Sequence, residues 1–152
     1  MNFDMLDDFS IGNFNGKIST IIDILKPIKE YYPEYENWME SVVSQGIIDN
    51  TRCIRVLKND NKIAGLSVLK KTDDEKKICS LFVDPEYRGE AWIYSIFTDS
   101  IEYLQTKSPL ITIPNIIVKK YHGLIFTNKW KLTSKTPNRY TSGIVEYGFN
   151  EI

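Results

Sequence analysis

Residues 79–97 read CSLFVDPEYRGEAWIYSIF, and the hydrophobic patterning changes character inside that stretch. From Ile78 to Val83 both faces are apolar, with Cys79, Leu81 and Val83 predicted to point one way and Ile78, Ser80 and Phe82 the other. Apolar groups on both faces mark a central strand. Asp84-Pro85 turns the chain, Arg88-Gly89 follows, and then Ile93, Ile96, Phe97, Ile101 and Leu104 recur at helical spacing. The predicted helix ends near Lys107, just before Ser108-Pro109. A helix opening directly off a strand presents unpaired backbone N–H groups and the positive end of its dipole, which suits a phosphate.

Working upstream, Thr72–Lys77 is a polar turn, and Lys62–Lys71 pairs with a strand around Ile54 and Val56 as a hairpin across Asn59-Asp60-Asn61. Two helices are predicted before it. Ile18, Ile21, Ile22, Leu25 and Ile28 form one stripe that Pro27 kinks or stops, and Tyr35, Trp38, Met39, Val42 and Val43 form another between Pro33 and Gly46. Phe9–Gly16, with two glycines and two asparagines, reads as a loop. Downstream, Leu110–Ile113 is a short buried strand stopped by Pro114, and 115–128 keeps helical spacing that Gly123 weakens. Trp130–Ser134 and Tyr140–Phe149 then read as antiparallel strands across Thr136-Pro137-Asn138. The order implies an α/β domain with a mixed, mainly antiparallel twisted sheet flanked by helices.

The composition agrees with one domain spanning residues 1–152, with 42% hydrophobic and 26% charged residues and no repeat or linker. A formal net charge of -1 supplies no bulk attraction toward nucleic acid or an anionic membrane. No apolar run is long enough to span a bilayer, and the acidic opening MNFDMLDDF lacks the features of a secretory signal. The expected location is cytoplasmic, where Cys53 and Cys79 stay reduced. One histidine and no C-x-x-C pair argue against a structural zinc site, so no metal is expected.

The segment Leu81, Val83, Pro85, Tyr87, Arg88, Gly89 resembles, without a gap, the motif L-x-V-x-P-x-Y-R-G-x-G-x-G of the GNAT N-acetyltransferase superfamily. The element order over roughly residues 17–149 is similar as well, with Asn128-Lys129-Trp130-Lys131-Leu132 where many members have Gly-Phe. The resemblance implies a GNAT-like fold and an acyl-CoA-dependent N-acyltransferase, acetyl-CoA being the expected donor and an amine of a small molecule, peptide or protein the acceptor. It also implies that Leu81, Phe82 and Val83 contact the pantetheine arm, and that Arg88, Gly89, Glu90, Ala91, Trp92 and Ile93 cradle the pyrophosphate. The alternative is a catalytically degenerate GNAT-like binding or regulatory module with a protein partner. A homodimer stays open.

Two departures from the family pattern bear on activity. Ala91 and Ile93 stand at the motif's glycine positions, and Glu90 brings negative charge to the expected anion site. Counting back from Trp130 to the family's proton-donating tyrosine gives Ile125, and Tyr121 lies about one helical turn earlier. The resemblance thus makes Tyr121 the candidate acid, set against a role in core packing. Since some members carry a catalytic glutamate near the start of the fourth strand, it makes Glu75 the candidate base with the register shifted by about two residues, set against a solvated turn carboxylate. Tyr31, Tyr32, Tyr35 and Trp38 dock the second helix, their exposed remainder shaping an acceptor site. Lys119, Lys120, Lys129, Lys131 and Lys135 read as a solvated basic strip, with nucleic acid ranked low. Cys79 reads as a small hydrophobe and His122 as a surface residue.

Overall fold

The computed structural model describes residues 9–87 and 90–151. Four strands, β1 (Phe9–Asn13), β2 (Arg52–Asn59), β3 (Lys62–Lys71) and β4 (Lys76–Val83), form one antiparallel sheet in that order. A second antiparallel sheet has the order β5-β7-β6, from β5 (Ile111–Pro114), β6 (Leu132–Pro137) and β7 (Val145–Phe149). Among the described residues a single parallel bridge, Lys77 to Leu110, joins the sheets.

β1 corrects the sequence reading, which made Phe9–Gly16 a loop. Its residues pair with β2 from Phe9 opposite Asn59 to Asn13 opposite Arg55, and the Phe9 ring meets Trp92 at 4.1 Å. Pairing with a strand more than forty positions away, by rough count, satisfies a backbone whose local composition favours a turn, a tertiary override of propensity.

The helices lie on both faces of the first sheet. α1 (Ile18–Ile24) ends before Pro27, and a short 3₁₀ segment covers Lys26–Glu30. α2 (Tyr35–Trp38) passes through a π turn at Met39–Val43 into α3 (Ser44–Ile48), two residues beyond the predicted end. Ile21, Leu25, Tyr35, Met39 and Val43 pack from this side on Ile54, Val56, Leu66 and Val68. On the other face α4 (Glu90–Leu104) sets Trp92 and Ile96 against Leu57 and Ala64, and Phe97 and Leu104 against Leu69, Ile78 and Ile111. Each such large apolar side chain contributes about 1.5–3 kcal/mol on burial. α5 (His122–Thr127) follows a 3₁₀ turn at Val118–Tyr121 and buries Leu124 beside Trp130.

The last two strands begin and end differently from expectation. Trp130 precedes β6 and is buried, its indole N–H donating to the Lys107 carbonyl at 3.0 Å. The connection is a wide loop, 138–144, instead of a tight turn, because the Asn138 side chain accepts the Gly143 N–H at 2.8 Å and Asn138 N–H reaches the Ile144 carbonyl. Gly143 has φ +81°, a conformation that glycine adopts without strain.

β4 carries the feature that shapes the site. Val68 pairs with Ser80 but Leu69 pairs with Ile78, so Cys79 is an extra residue, a β-bulge. The expected alternation therefore fails there: Cys79 packs with Phe82 toward α1 and α2, while Ile78 and Leu81 pack toward α4. One inserted residue reverses the facing of everything before it.

Candidate active site

β4 and β5 touch at one point and then part. Ile78 N–H donates to the Leu110 carbonyl and Leu110 N–H to the Lys76 carbonyl, both at 2.9 Å. Among the described residues no further ladder joins these strands, and β5 instead pairs on its other side with β7. The bulge at Cys79 bends β4 away just beyond the bridge. The result is an open wedge.

Two cavities meet in this wedge. The larger, of about 430 Å³, runs along Leu81, Phe82 and Val83 on one wall and Ile113, Pro114 and Ile117 on the other. The smaller, of about 340 Å³, lies toward Trp38, Arg52, Arg139 and Tyr140. Ile28, Tyr32, Cys79, Ser80 and Thr112 line both, so the bulge sits at their junction. A long substrate entering one side and a second molecule entering the other would meet at Cys79 and Tyr32.

Tyr32 is held at that junction by a group the sequence reading did not single out. Its hydroxyl donates to Glu146 Oε1 at 2.6 Å, and Glu146, on β7, is only 3% exposed. Burial, reinforced by the neighbouring carboxylate, pushes the Tyr32 phenol far above its usual range, so it stays protonated. Tyr35 has a different role, docking α2 with its hydroxyl on the Ile22 carbonyl at 2.9 Å. Tyr35 thus docks α2 while also lining the smaller cavity beside Tyr32 and Trp38.

The predicted acid and base are placed far apart in character. Tyr121 is buried and lines the larger cavity, and among the described residues its hydroxyl has no hydrogen-bond partner. Desolvation pushes its pKa up to about 12. Glu75 lines neither cavity; it lies 3.4 Å from Lys70 Nζ, and its N–H donates to Thr72 Oγ1 in the turn before β4. The structure therefore brings Tyr121, but not Glu75, to the wedge.

Of the predicted cofactor contacts, Leu81, Phe82 and Val83 form one wall of the larger cavity. Arg88 and Gly89 lie outside the described residues. Glu90 and Ala91 open α4, whose first turn contributes the backbone N–H groups of a 15-residue helix. Trp92 turns its ring inward, 5.1 Å from that of Tyr87 and 4% exposed, and it lines neither cavity. Ile93 lines the larger cavity. Lys120, read from the sequence as part of a solvated strip, is a cation lining that cavity, and only the folding of the Val118–Tyr121 turn beside β5 brings it there.

Cys79 accepts a hydrogen bond from an Arg52 guanidinium N–H at 3.2 Å. Burial raises its thiol pKa and Arg52 offsets that only in part, so the group is a neutral thiol and a poor nucleophile.

The fold matches those of solved acetyltransferase structures. An acetyltransferase of the GNAT family from Bacillus cereus superposes with a TM-score of 0.63 over 93% of this chain and 94% of its own, at 14% identity. A Bacillus subtilis acetyltransferase in complex with CoA gives 0.65 over 95% and 99%, at 13% identity. Ard1 from Thermoplasma volcanium gives 0.67 over 93% and 95%, at 15% identity. No family model matches the sequence, and no curated protein does. The fold is that of the GNAT acetyltransferases, as the motif at residues 81–89 implies.

No described helix is long and apolar enough to cross a membrane.

Proposed function

We propose that this protein is an acyl-CoA-dependent N-acyltransferase, with acetyl the expected group. The observation that carries the reading is the open wedge between β4 and β5, lined by two cavities that meet at the Cys79 bulge. Its larger arm has an apolar strand edge for a pantetheine chain, the start of α4 for a pyrophosphate and Lys120 for a further phosphate. The residues present fit an acyl-CoA, with Ile93 narrowing the space.

Acyl-CoA supplies a thioester carbonyl to be attacked by an amine. The protein holds the two partners together and moves protons, and both effects lower the barrier. Tyr32 and Glu146 receive the proton of the attacking nitrogen, the phenol relaying it to the buried carboxylate as the C–N bond forms. Tyr121 gives its proton to the departing sulfur as the C–S bond breaks. Water then removes the proton from Glu146 and restores that of Tyr121, so amine and thioester become amide and thiol.

Thermal melting with acetyl-CoA tests the reading directly. At 100-fold excess over Kd a binder gains about 2.7 kcal/mol. Absence of any shift at millimolar acetyl-CoA sinks the proposal, and release of free thiol on adding an amine supports it.

A further inference from the structure

The smaller cavity has a charge pattern that its acyl-transfer role does not require. Arg52, Lys77 and Arg139 line it against one carboxylate, Glu34, and none of the three cations has an ion-pair partner among the described residues. They come from separate elements, Arg52 and Lys77 from β2 and β4 and Arg139 from the loop after β6.

The two arginines lie against aromatic rings instead of in ion pairs. The Arg52 guanidinium lies 5.8 Å from the Trp38 ring centre and spends a donor on Cys79 Sγ. Its stem runs so close to α3 that a Cβ at Gly46 would meet Arg52 Cδ at 2.6 Å. Arg139 lies 5.2 Å from the Tyr140 ring centre. Its loop is pinned across the cavity, with the Thr141 hydroxyl donating to the Tyr31 carbonyl at 2.8 Å. A stacked guanidinium keeps most of its five N–H donors free for an incoming anion.

We infer that the acceptor is a small amine that also carries an anionic group, a carboxylate or a phosphate, bound by Arg52, Lys77 and Arg139. This deepens the acyltransferase reading and rests on it for the acceptor's role. A volume of about 340 Å³ suits a molecule of amino-acid size. Its aromatic and apolar walls, Ile28, Tyr35 and Trp38 among them, suit an apolar side chain. The amine then lies toward Tyr32 and the junction, and the anion toward the cations. A polycationic acceptor meets repulsion in the same place.

Calorimetry on the CoA-loaded protein with matched pairs of amines tests the inference. Phenylalanine is compared with phenethylamine, and phosphoethanolamine with ethanolamine, so that each pair differs only in the anion and the pairs separate carboxylate from phosphate. The expected result is about ten-fold or tighter binding of the anionic member in at least one pair. That preference falls in the Arg139→Gln and Lys77→Gln proteins. Equal binding within both pairs, no binding of any member at millimolar concentration, or tighter binding of spermidine overturns it. Acetyl-CoA affinity is measured separately without amine, so loss of the acyltransferase reading and loss of the anion site are distinguishable outcomes.

Discussion

The Tyr32 hydroxyl donates to Glu146 Oε1 across 2.6 Å, joining residues 114 positions apart at the point where the two arms of the wedge meet. Tyr32 also meets the ring of Tyr140 edge-on at 5.1 Å, so its position is fixed by the second sheet and by the loop that follows β6. If the pair relays a proton, Glu146→Gln and Tyr32→Phe each lower kcat by about 10²-fold or more with a smaller change in the KM for acetyl-CoA. A purely structural role would instead lower melting temperature and change both constants together. Steady-state kinetics beside thermal melting decide between them.

Tyr121 makes two separable predictions. Tyr121→Phe lowers kcat by about 10-fold or more if the phenol protonates the leaving sulfur. The same group affects alkaline stability, because burial raises its pKa from 10.0 to about 12. Above pH 10 the unfolded chain releases this proton while the folded chain keeps it, so the stability tied to the phenol is whole below pH 10 and declines from there toward pH 12. Between pH 9 and pH 11 the parent protein loses about 1 kcal/mol more than Tyr121→Phe, as read by urea unfolding at the two pH values.

Ile93 stands where the family motif has glycine and lines the larger cavity. Ile93→Ala keeps helix propensity in α4 while removing the branched side chain, and it tightens acetyl-CoA binding roughly 3- to 10-fold. The variant also loses packing against the cluster of Phe97, Leu104 and Tyr121, so its melting temperature without ligand falls. Unchanged or weaker affinity by calorimetry refutes the steric argument.

Arg55 and Asp99 pin α4 to the first sheet. Arg55 Nε and an NH₂ group donate to the two oxygens of Asp99 at 2.9 and 2.6 Å, and the remaining guanidinium nitrogen donates to Asn13 Oδ1 on β1. The two side chains are 19% and 12% exposed, so removing one leaves the other poorly solvated. Asp99→Ala costs about 2–4 kcal/mol in urea unfolding, and the double substitution Arg55→Met, Asp99→Leu recovers much of it.

Much of the fold was legible because its elements are long and strongly patterned. The hairpin of β2 and β3, the strand through Val83 and the helix after it follow from periodicity alone, as does α1 with its stop before Pro27. β1 was not legible, since its short glycine- and asparagine-containing stretch becomes a strand only by pairing with β2. Nor was the bulge at Cys79, because nothing in an apolar alternation marks which residue will be left out of the ladder.

By itself the sequence determined a single α/β arrangement and a strand-turn-helix junction of GNAT type, because local periodicity and a contiguous motif depend only on near neighbours. Leu81 to Val83 and Tyr121, which the resemblance to the family singled out, line the larger cavity. Tertiary structure alone decided that Glu146 meets Tyr32, that Lys120 turns toward the larger cavity, and that Arg52, Lys77 and Arg139 converge on the smaller one. It also moved Glu75 out of the site, where an ion pair with Lys70 holds it. Those groups come from elements far apart in the chain, and only the register of the two sheets and the bulge that parts them set which side chains share a cavity.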